Sequence, residues 1–226
     1  VGQRARYSLN KRTGKVYRRQ VNLYADVERW LTEGWLDYLA PQLYWPVAQA
    51  PQAFDVLLDY WVAQNPRARH IWPGLYTSRI DRSAKAYAPE EILKQIAVTR
   101  SRASVGGHVH FSIAALMENR KGISEQLKAQ SYQSPALTPA TPWLGSALPA
   151  APAVAMRREG NGLSLKISAT GGKPVAQYAI WSRYGSEWRF SVAPAGRANV
   201  LLADDASTGA AQAVVVSAVD RLGNES

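Results

Sequence analysis

Three short β-prone runs separated by amphipathic helical stretches constrain this chain more than anything else in it. The runs begin near residues 36, 71 and 107. A period of about 35 residues holds one strand, one helix and two connections, which is a βαβ unit. The first run is Leu36–Trp45, the second His70–Thr77 and the third His108–Ile113. Between Val21 and Glu33, the residues Leu23, Val27, Trp30 and Leu31 share one helical face, and Gly34 stops the helix. Pro51 is placed to open a second helix, where its missing N–H does no harm. Phe54, Leu57, Leu58, Trp61 and Val62 form its apolar stripe, and Asn65-Pro66 ends it. Pro89-Glu90-Glu91 starts a third helix with acids at the positive end of its dipole, and Arg100 and Arg102 lie near the other end. Gly106-Gly107 closes it, and a shorter helix is expected around Ser124–Gln130. Pro41 removes one ladder donor from the first strand, which a bulge or an edge tolerates.

Parallel strands with helical crossovers bury both sheet faces. Three of them can neither close a barrel nor protect both edges. The chain is therefore expected to be a piece of a longer protein, with the earlier part of this domain upstream. The α/β pattern is read as the C-terminal half of a barrel over residues 1–145. Residues 146–152, within a stretch rich in Pro, Ala, Ser and Thr, are read as a linker.

From residue 153 to 226 the periodicity changes to 2. Leu163, Leu165 and Ile167 alternate with polar residues. So do Tyr178, Ile180 and Ser182, then Trp188 and Phe190, then Val200 and Leu202, then Val214, Val216 and Ala218. Asn161-Gly162, Gly171-Gly172 and Tyr184-Gly185-Ser186 supply turns between them. This is the pattern of an all-β sandwich, with its last strand expected to be missing.

Composition narrows the chemistry. There is no cysteine, so disulfides and thiolate metal sites are excluded within this chain. No apolar run reaches the 18 or more residues of a membrane span. The net charge is +10, and much of it lies in Arg4, Arg6, Lys11, Arg12, Lys15, Arg18 and Arg19. Asn10 to Lys15 reads as a polar hairpin turn. Nucleic acid is not expected as a partner, because these basic residues have no aromatic stacking surface beside them.

In a parallel barrel, function gathers at the C-terminal strand ends. Period 2 sorts the faces. Leu39, Pro41 and Leu43 should meet the helices, as should Ile71, Pro73 and Leu75, and also Val109, Phe111 and Ile113. The opposite, more polar faces should then present Gln42, Tyr44, Tyr76, His110 and Ser112, with Trp45 and Arg79 on the rim. Sugars suit such a set, since hydroxyls want hydrogen-bonding partners and ring C–H faces stack on aromatic rings. Glycoside hydrolysis uses two carboxylates. Asp81, in the loop after the second strand, is the only rim candidate, so the catalytic pair is expected upstream. His108 and His110 could share a metal only with a third ligand, and His70 lies at the wrong end of its strand. Neither a metal nor another cofactor is expected. A metal-dependent hydrolase remains a distant alternative.

The stretch Gly34-Trp35-Leu36-Asp37-Tyr38-Leu39-Ala40-Pro41-Gln42-Leu43-Tyr44-Trp45 resembles the late barrel of bacterial glycosyl hydrolase-like proteins distantly related to family-10 glycosidases. Ile71-Trp72-Pro73-Gly74-Leu75 and Gly107-His108-Val109-His110-Phe111-Ser112 are similar to that family's next two strands. The resemblance covers roughly residues 20–145. It implies the C-terminal part of a (β/α)8 TIM-type barrel. It also implies a substrate that is a polysaccharide or a peptidoglycan glycan strand. The protein would be exported: periplasmic, an outer-membrane lipoprotein or extracellular, with cell-wall or envelope association. The alternative is a non-catalytic glycan- or cell-wall-binding protein on the same scaffold. The basic segment 1–20 would overhang the active face if it follows the fifth strand. The tail, Val214 to Ser226, resembles the next-to-last strand and turn of a fibronectin type III-like domain, an immunoglobulin-like sandwich.

Overall fold

The computed structural model describes residues 25–49, 52–197 and 199–226. The basic segment 1–20, Leu23 and Pro51 lie outside the described residues. The chain divides into two compact units after Gln133, twelve residues before the boundary read from sequence.

In the first unit, helix α1 spans Val27–Thr32, with Asp26 as N-cap accepting from the Arg29 N–H at 3.1 Å. Its end is set by Gly34, whose φ of +75° is the left-handed conformation that glycine adopts without a Cβ penalty. Strand β1 (Tyr38–Leu39) follows, then α2 (Phe54–Ala63), β2 (His70–Ile71), β3 (Gly74–Leu75), α3 (Pro89–Arg100) and β4 (Val109–His110). Two short helices, α4 (Ile113–Met117) and α5 (Ile123–Gln126), come after β4, and a π-helical turn over Leu127–Ser131 extends α5. The third strand therefore ends before Ile113, which starts a helix that was not expected.

β1 pairs in parallel with β2, and β3 in parallel with β4. A parallel bridge between Gln42 and Gly74 continues the first ladder. Backbone bonds run evenly along both ladders: Trp72 N–H to Leu39 O (2.9 Å) and Gly74 N–H to Pro41 O (2.8 Å) in the first, Val109 N–H to Pro73 O (3.0 Å) and Phe111 N–H to Leu75 O (2.9 Å) in the second. Pro41 and Pro73 accept in these ladders but cannot donate, which explains why the regular strands are so short.

All the helices named for the core lie against one face of this sheet. Leu43, Ile71 and Leu75 from the strands pack with Leu31, Phe54, Leu58, Trp61, Ile92 and Ile96 in one buried cluster. Amphipathicity thus places α1, α2 and α3 as read from sequence. The third strand breaks the pattern. In the ladder, Leu75 is opposite His110 and Gly74 opposite Val109. Register partners in a sheet share a face, so His110 joins Leu75 on the helix side. Val109 and Phe111 instead share the face of Gly74 and Tyr76. Accordingly Val109, Phe111 and Ile113 are exposed rather than covered by helices. A one-residue slip reverses every side chain of a strand, and sequence alone does not fix the pairing of a two-residue strand.

The second unit is a sandwich of two three-stranded antiparallel sheets. β5 (Ala153–Glu159), β6 (Gly162–Ser168) and β9 (Asn199–Ala203) form one sheet. β7 (Gln177–Tyr184) lies between β8 (Glu187–Pro194) and β10 (Ala213–Val219) in the other. Leu165, Ile167, Tyr178, Ile180, Ala193, Leu202 and Ala218 form the core. On β8 it is Ala193 that faces inward. Trp188 and Phe190, expected to alternate into the core, lie on the outer face, with Trp188 44% exposed.

Residues 134–152 are not a free linker. Thr141 N–H donates to Leu222 O at 2.8 Å and Asn224 Nδ2 to Gly145 O at 2.9 Å. Thr170 Oγ1 bonds Ala151 O at 2.6 Å, and Lys173 Nζ donates to the Ala147 carbonyl. The receiving turn is organised by the buried Asp220, which accepts from Leu222 N (2.8 Å), Asn224 N (2.9 Å) and Asn224 Nδ2 (3.0 Å) and pairs with Lys173 at 2.6 Å. These bonds move the boundary from 145 to 133.

Candidate functional site

The face of the parallel sheet opposite the helices carries aromatic residues in register. Tyr38 stacks on Trp72 at 4.7 Å, and Trp72 stacks on His70 at 5.3 Å. Further along, at the C-terminal strand ends, Tyr44 stacks on Tyr76 with centroids 4.7 Å apart and planes at 22°. Phe111 completes the group, 5.7 Å from Tyr44 and 6.1 Å from Tyr76. Tyr87, from the loop after β3, meets Tyr76 edge-on at 6.5 Å, and its hydroxyl donates to Tyr44 O at 2.9 Å. Burial pushes the Tyr87 phenol up to about 12, helped by Glu91, so it stays a neutral donor.

Gly74 makes this stack possible. A Cβ there would lie 3.2 Å from Tyr44 Cε1 and 3.4 Å from Pro41 O. Gln42, its bridge partner, is half-buried on the same face. Gln42, Tyr44 and Tyr76 are therefore brought together as read from sequence.

The other expected members are placed differently. Trp45 follows Tyr44 and so turns to the opposite side, where it packs against the hydrophobic core. Its carbonyl accepts from Gln95 Nε2 at 3.2 Å. Arg79 lies in a 3-10 turn over Thr77–Arg79 and uses Nε to hold Lys85 O at 3.0 Å, while its own carbonyl accepts from the Tyr87 N–H at 2.8 Å. It braces the loop that carries Tyr87. Ser112 bonds Ser78 through both its N–H (2.8 Å) and its hydroxyl (3.0 Å), joining the ends of β3 and β4.

Asp81 is partly exposed and accepts from the Ser83 N–H at 2.8 Å. Its hydrogen bonds with Ser83 hold it below the usual carboxylate range, with smaller help from Arg79 and Lys121. Asp81 is a turn-forming carboxylate.

His110 leaves the array altogether. Its Nδ1 is 2.7 Å from the Oγ1 of the fully buried Thr77, and its Nε2 is 2.7 Å from the Tyr132 hydroxyl. His108 Nε2 lies 2.5 Å from the same hydroxyl. One phenol oxygen thus joins two imidazoles, donating to one and accepting from the other. Burial lowers both histidines to about 4, with His110 and Arg100 adding to the effect on His108. Burial also raises the Tyr132 phenol to about 12. The whole network is uncharged at neutral pH. No group of three metal-ligating side chains occurs among the described residues.

Sequence reasoning missed Phe111, Tyr87 and Tyr132. Phe111 was set on the wrong face by the register. Tyr87 and Tyr132 reach their partners from loops and turns that carry no periodic signal.

Fold and site define a β/α layer whose strand ends present stacked tyrosines and hydrogen-bonding groups, a surface suited to the alternating C–H faces and hydroxyls of sugars. Residues 10–90 match the family described as Glycosyl hydrolase-like 10. The chain is 33% identical over 216 residues to Glycosyl hydrolase YngK of Bacillus subtilis (strain 168), covering 91% of this chain and 42% of that protein. It is 35% identical over 63 residues to Glycosyl hydrolase DigH of Escherichia coli (strain K12), covering 27% of this chain and 14% of that protein. The chain belongs to the glycosyl hydrolase-like 10 family. It spans less than half the length of YngK.

Proposed function

We propose that the complete protein hydrolyses glycosidic bonds in a polysaccharide or in the glycan strands of peptidoglycan, and that this chain supplies the substrate-holding wall of the site. The observation that carries the reading is the Tyr44–Tyr76 stack with Phe111 at the C-terminal ends of adjacent parallel strands. Active groups gather at that edge in (β/α)8 barrels, and the three strands described here are read as the last three of such a barrel. A sugar ring laid on Tyr44, Tyr76 and Phe111 would be oriented by C–H contact with the rings. Gln42 would bond its hydroxyls, and Arg79 would hold the loop that carries Tyr87. The acid and the nucleophile or base would come from carboxylates on the other barrel strands. The sandwich is read as a fibronectin type III-like spacer, and the protein as exported to the envelope or beyond.

The test uses the full-length protein with purified peptidoglycan glycan strands and a panel of polysaccharides, following new reducing ends. Release from one substrate, with KM raised about tenfold in Tyr76→Ala by loss of a stacking contact, is the expected result. Binding without any release would favour a non-catalytic glycan-binding protein on the same scaffold. Neither release nor binding would overturn both readings.

A further inference from the structure

The outer faces of a β-sandwich are ordinarily polar, with apolar side chains alternating inward. The sheet β10-β7-β8 departs from this. On its outer face Trp181 is opposite Phe190, and Arg183 is opposite Trp188. Trp181 and Phe190 are in contact, with centroids 4.7 Å apart, and the Arg183 guanidinium lies 5.9 Å from the Trp188 ring. Trp181 and Trp188 are 40% and 44% exposed. A buried core explains none of these rings, since Tyr178, Ile180 and Ala193 fill the inner side of the same strands.

The rings form the floor of a groove of about 400 Å³, walled by Pro135 and Leu137 and edged by Ser134 and Glu225. Such a volume takes a small ligand or a short length of polymer. Same-face rows on a strand are roughly 7 Å apart, so Trp188 and the Trp181–Phe190 pair are two successive stacking stations. The Glu225 carboxylate, oriented by the Ser217 hydroxyl, lies at one edge, and the Arg183 guanidinium lies over the Trp188 end. Carboxylate and guanidinium each bond adjacent hydroxyls in a two-point fashion. Their opposite charges suit a neutral hydroxylated chain and disfavour a strongly anionic one.

We propose that this groove is a second glycan-binding site, taking a neutral polysaccharide chain on Trp188, Trp181 and Phe190. It lies wholly within the sandwich unit and does not depend on the barrel-site reading. A protein partner would need a broader apolar surface than three rings with charged edges. The sandwich then acts as a glycan anchor, which raises the local concentration of any site tethered to it.

The test is titration of the complete chain with hexasaccharides of β-1,4-linked N-acetylglucosamine and of β-1,4-linked glucose, followed by tryptophan fluorescence and calorimetry. Trp181→Ala and Trp188→Ala should each weaken binding about tenfold, the loss of one stacking contact. Both residues are exposed, so unchanged thermal unfolding accompanies the loss. Arg157→Ala, an exposed change on the other sheet of the sandwich, should leave this binding intact. Binding abolished by Tyr76→Ala but untouched by the tryptophan variants would overturn the second site while supporting the barrel site. No binding of either hexasaccharide would also overturn it. So would a monomer–dimer equilibrium that Trp188→Ala abolishes without affecting glycan.

Discussion

Acidification from pH 7.5 to 5 should destabilise the first unit through His108 and His110. Both have an ordinary value of 6.5 that burial lowers to about 4 in the fold. Above pH 6.5 both states carry neutral imidazoles and the pair has no effect. Below it the unfolded chain binds protons that the folded chain refuses, so stability falls until about pH 4 and then levels. The slope reaches about 1.4 kcal/mol per pH unit for each histidine, which integrates to about 2 kcal/mol each by pH 5. The two are coupled through one phenol and are partly reached by solvent, so about 2–4 kcal/mol is expected for the pair. His70 acts in the same direction, since burial lowers it against the opposing pull of Asp37. Urea unfolding at the two pH values measures the drop, and hydrogen exchange at the Val109 and Phe111 amides assigns it to this unit. His108→Asn with His110→Asn should remove most of the pH dependence. A midpoint that does not move between pH 7.5 and 5, or a double variant that keeps the full drop, would refute the reasoning.

Other perturbations test the frame around the site. Tyr132→Phe leaves two half-buried imidazole nitrogens without their shared partner and should cost about 1–3 kcal/mol in denaturant unfolding at neutral pH. Gly74→Ala drives a Cβ against Tyr44; about 1 kcal/mol of destabilisation is expected, with a loss of glycan affinity that parallels Tyr76→Ala. Trp61→Ala empties a wholly buried position under the helices and should cost about 3–5 kcal/mol, read by the same melts. Glu91 accepts from Val47 N–H at 2.8 Å and Gln95 Nε2 at 2.9 Å. Glu91→Ala should therefore accelerate exchange at the Val47 amide and destabilise by about 1–2 kcal/mol.

The residues determined much by themselves. Helical spacing in Phe54, Leu57, Leu58 and Trp61, and the Pro89-Glu90-Glu91 start, marked helices that appear as read, because an amphipathic face is a local pattern. The 35-residue period marked parallel strands, since a crossover needs that length. Tyr44 and Tyr76 were placed together because their two strands pair without a slip. Alternation in β6 and β7 likewise gave the inward sets Leu165, Ile167 and Tyr178, Ile180.

What the tertiary structure decided were pairings between distant segments. The register that sets Leu75 opposite His110 turned His108 and His110 toward Tyr132 and brought Phe111 to the tyrosines. That choice rests on the Val109 and Phe111 amides donating to the Pro73 and Leu75 carbonyls, partners that no pattern within His108–Ile113 contains. On β8, period 2 allowed either face to be buried. The small Ala193 fits between the sheets, and this left Trp188 and Phe190 outside. The boundary at Gln133 reflects bonds of Thr141 and Gly145 with Leu222 and Asn224 of the Asp220 turn, some eighty residues away in sequence. Local physics writes elements into a sequence; which faces meet is settled by close packing of the whole chain, where one residue of slip costs every contact on a strand.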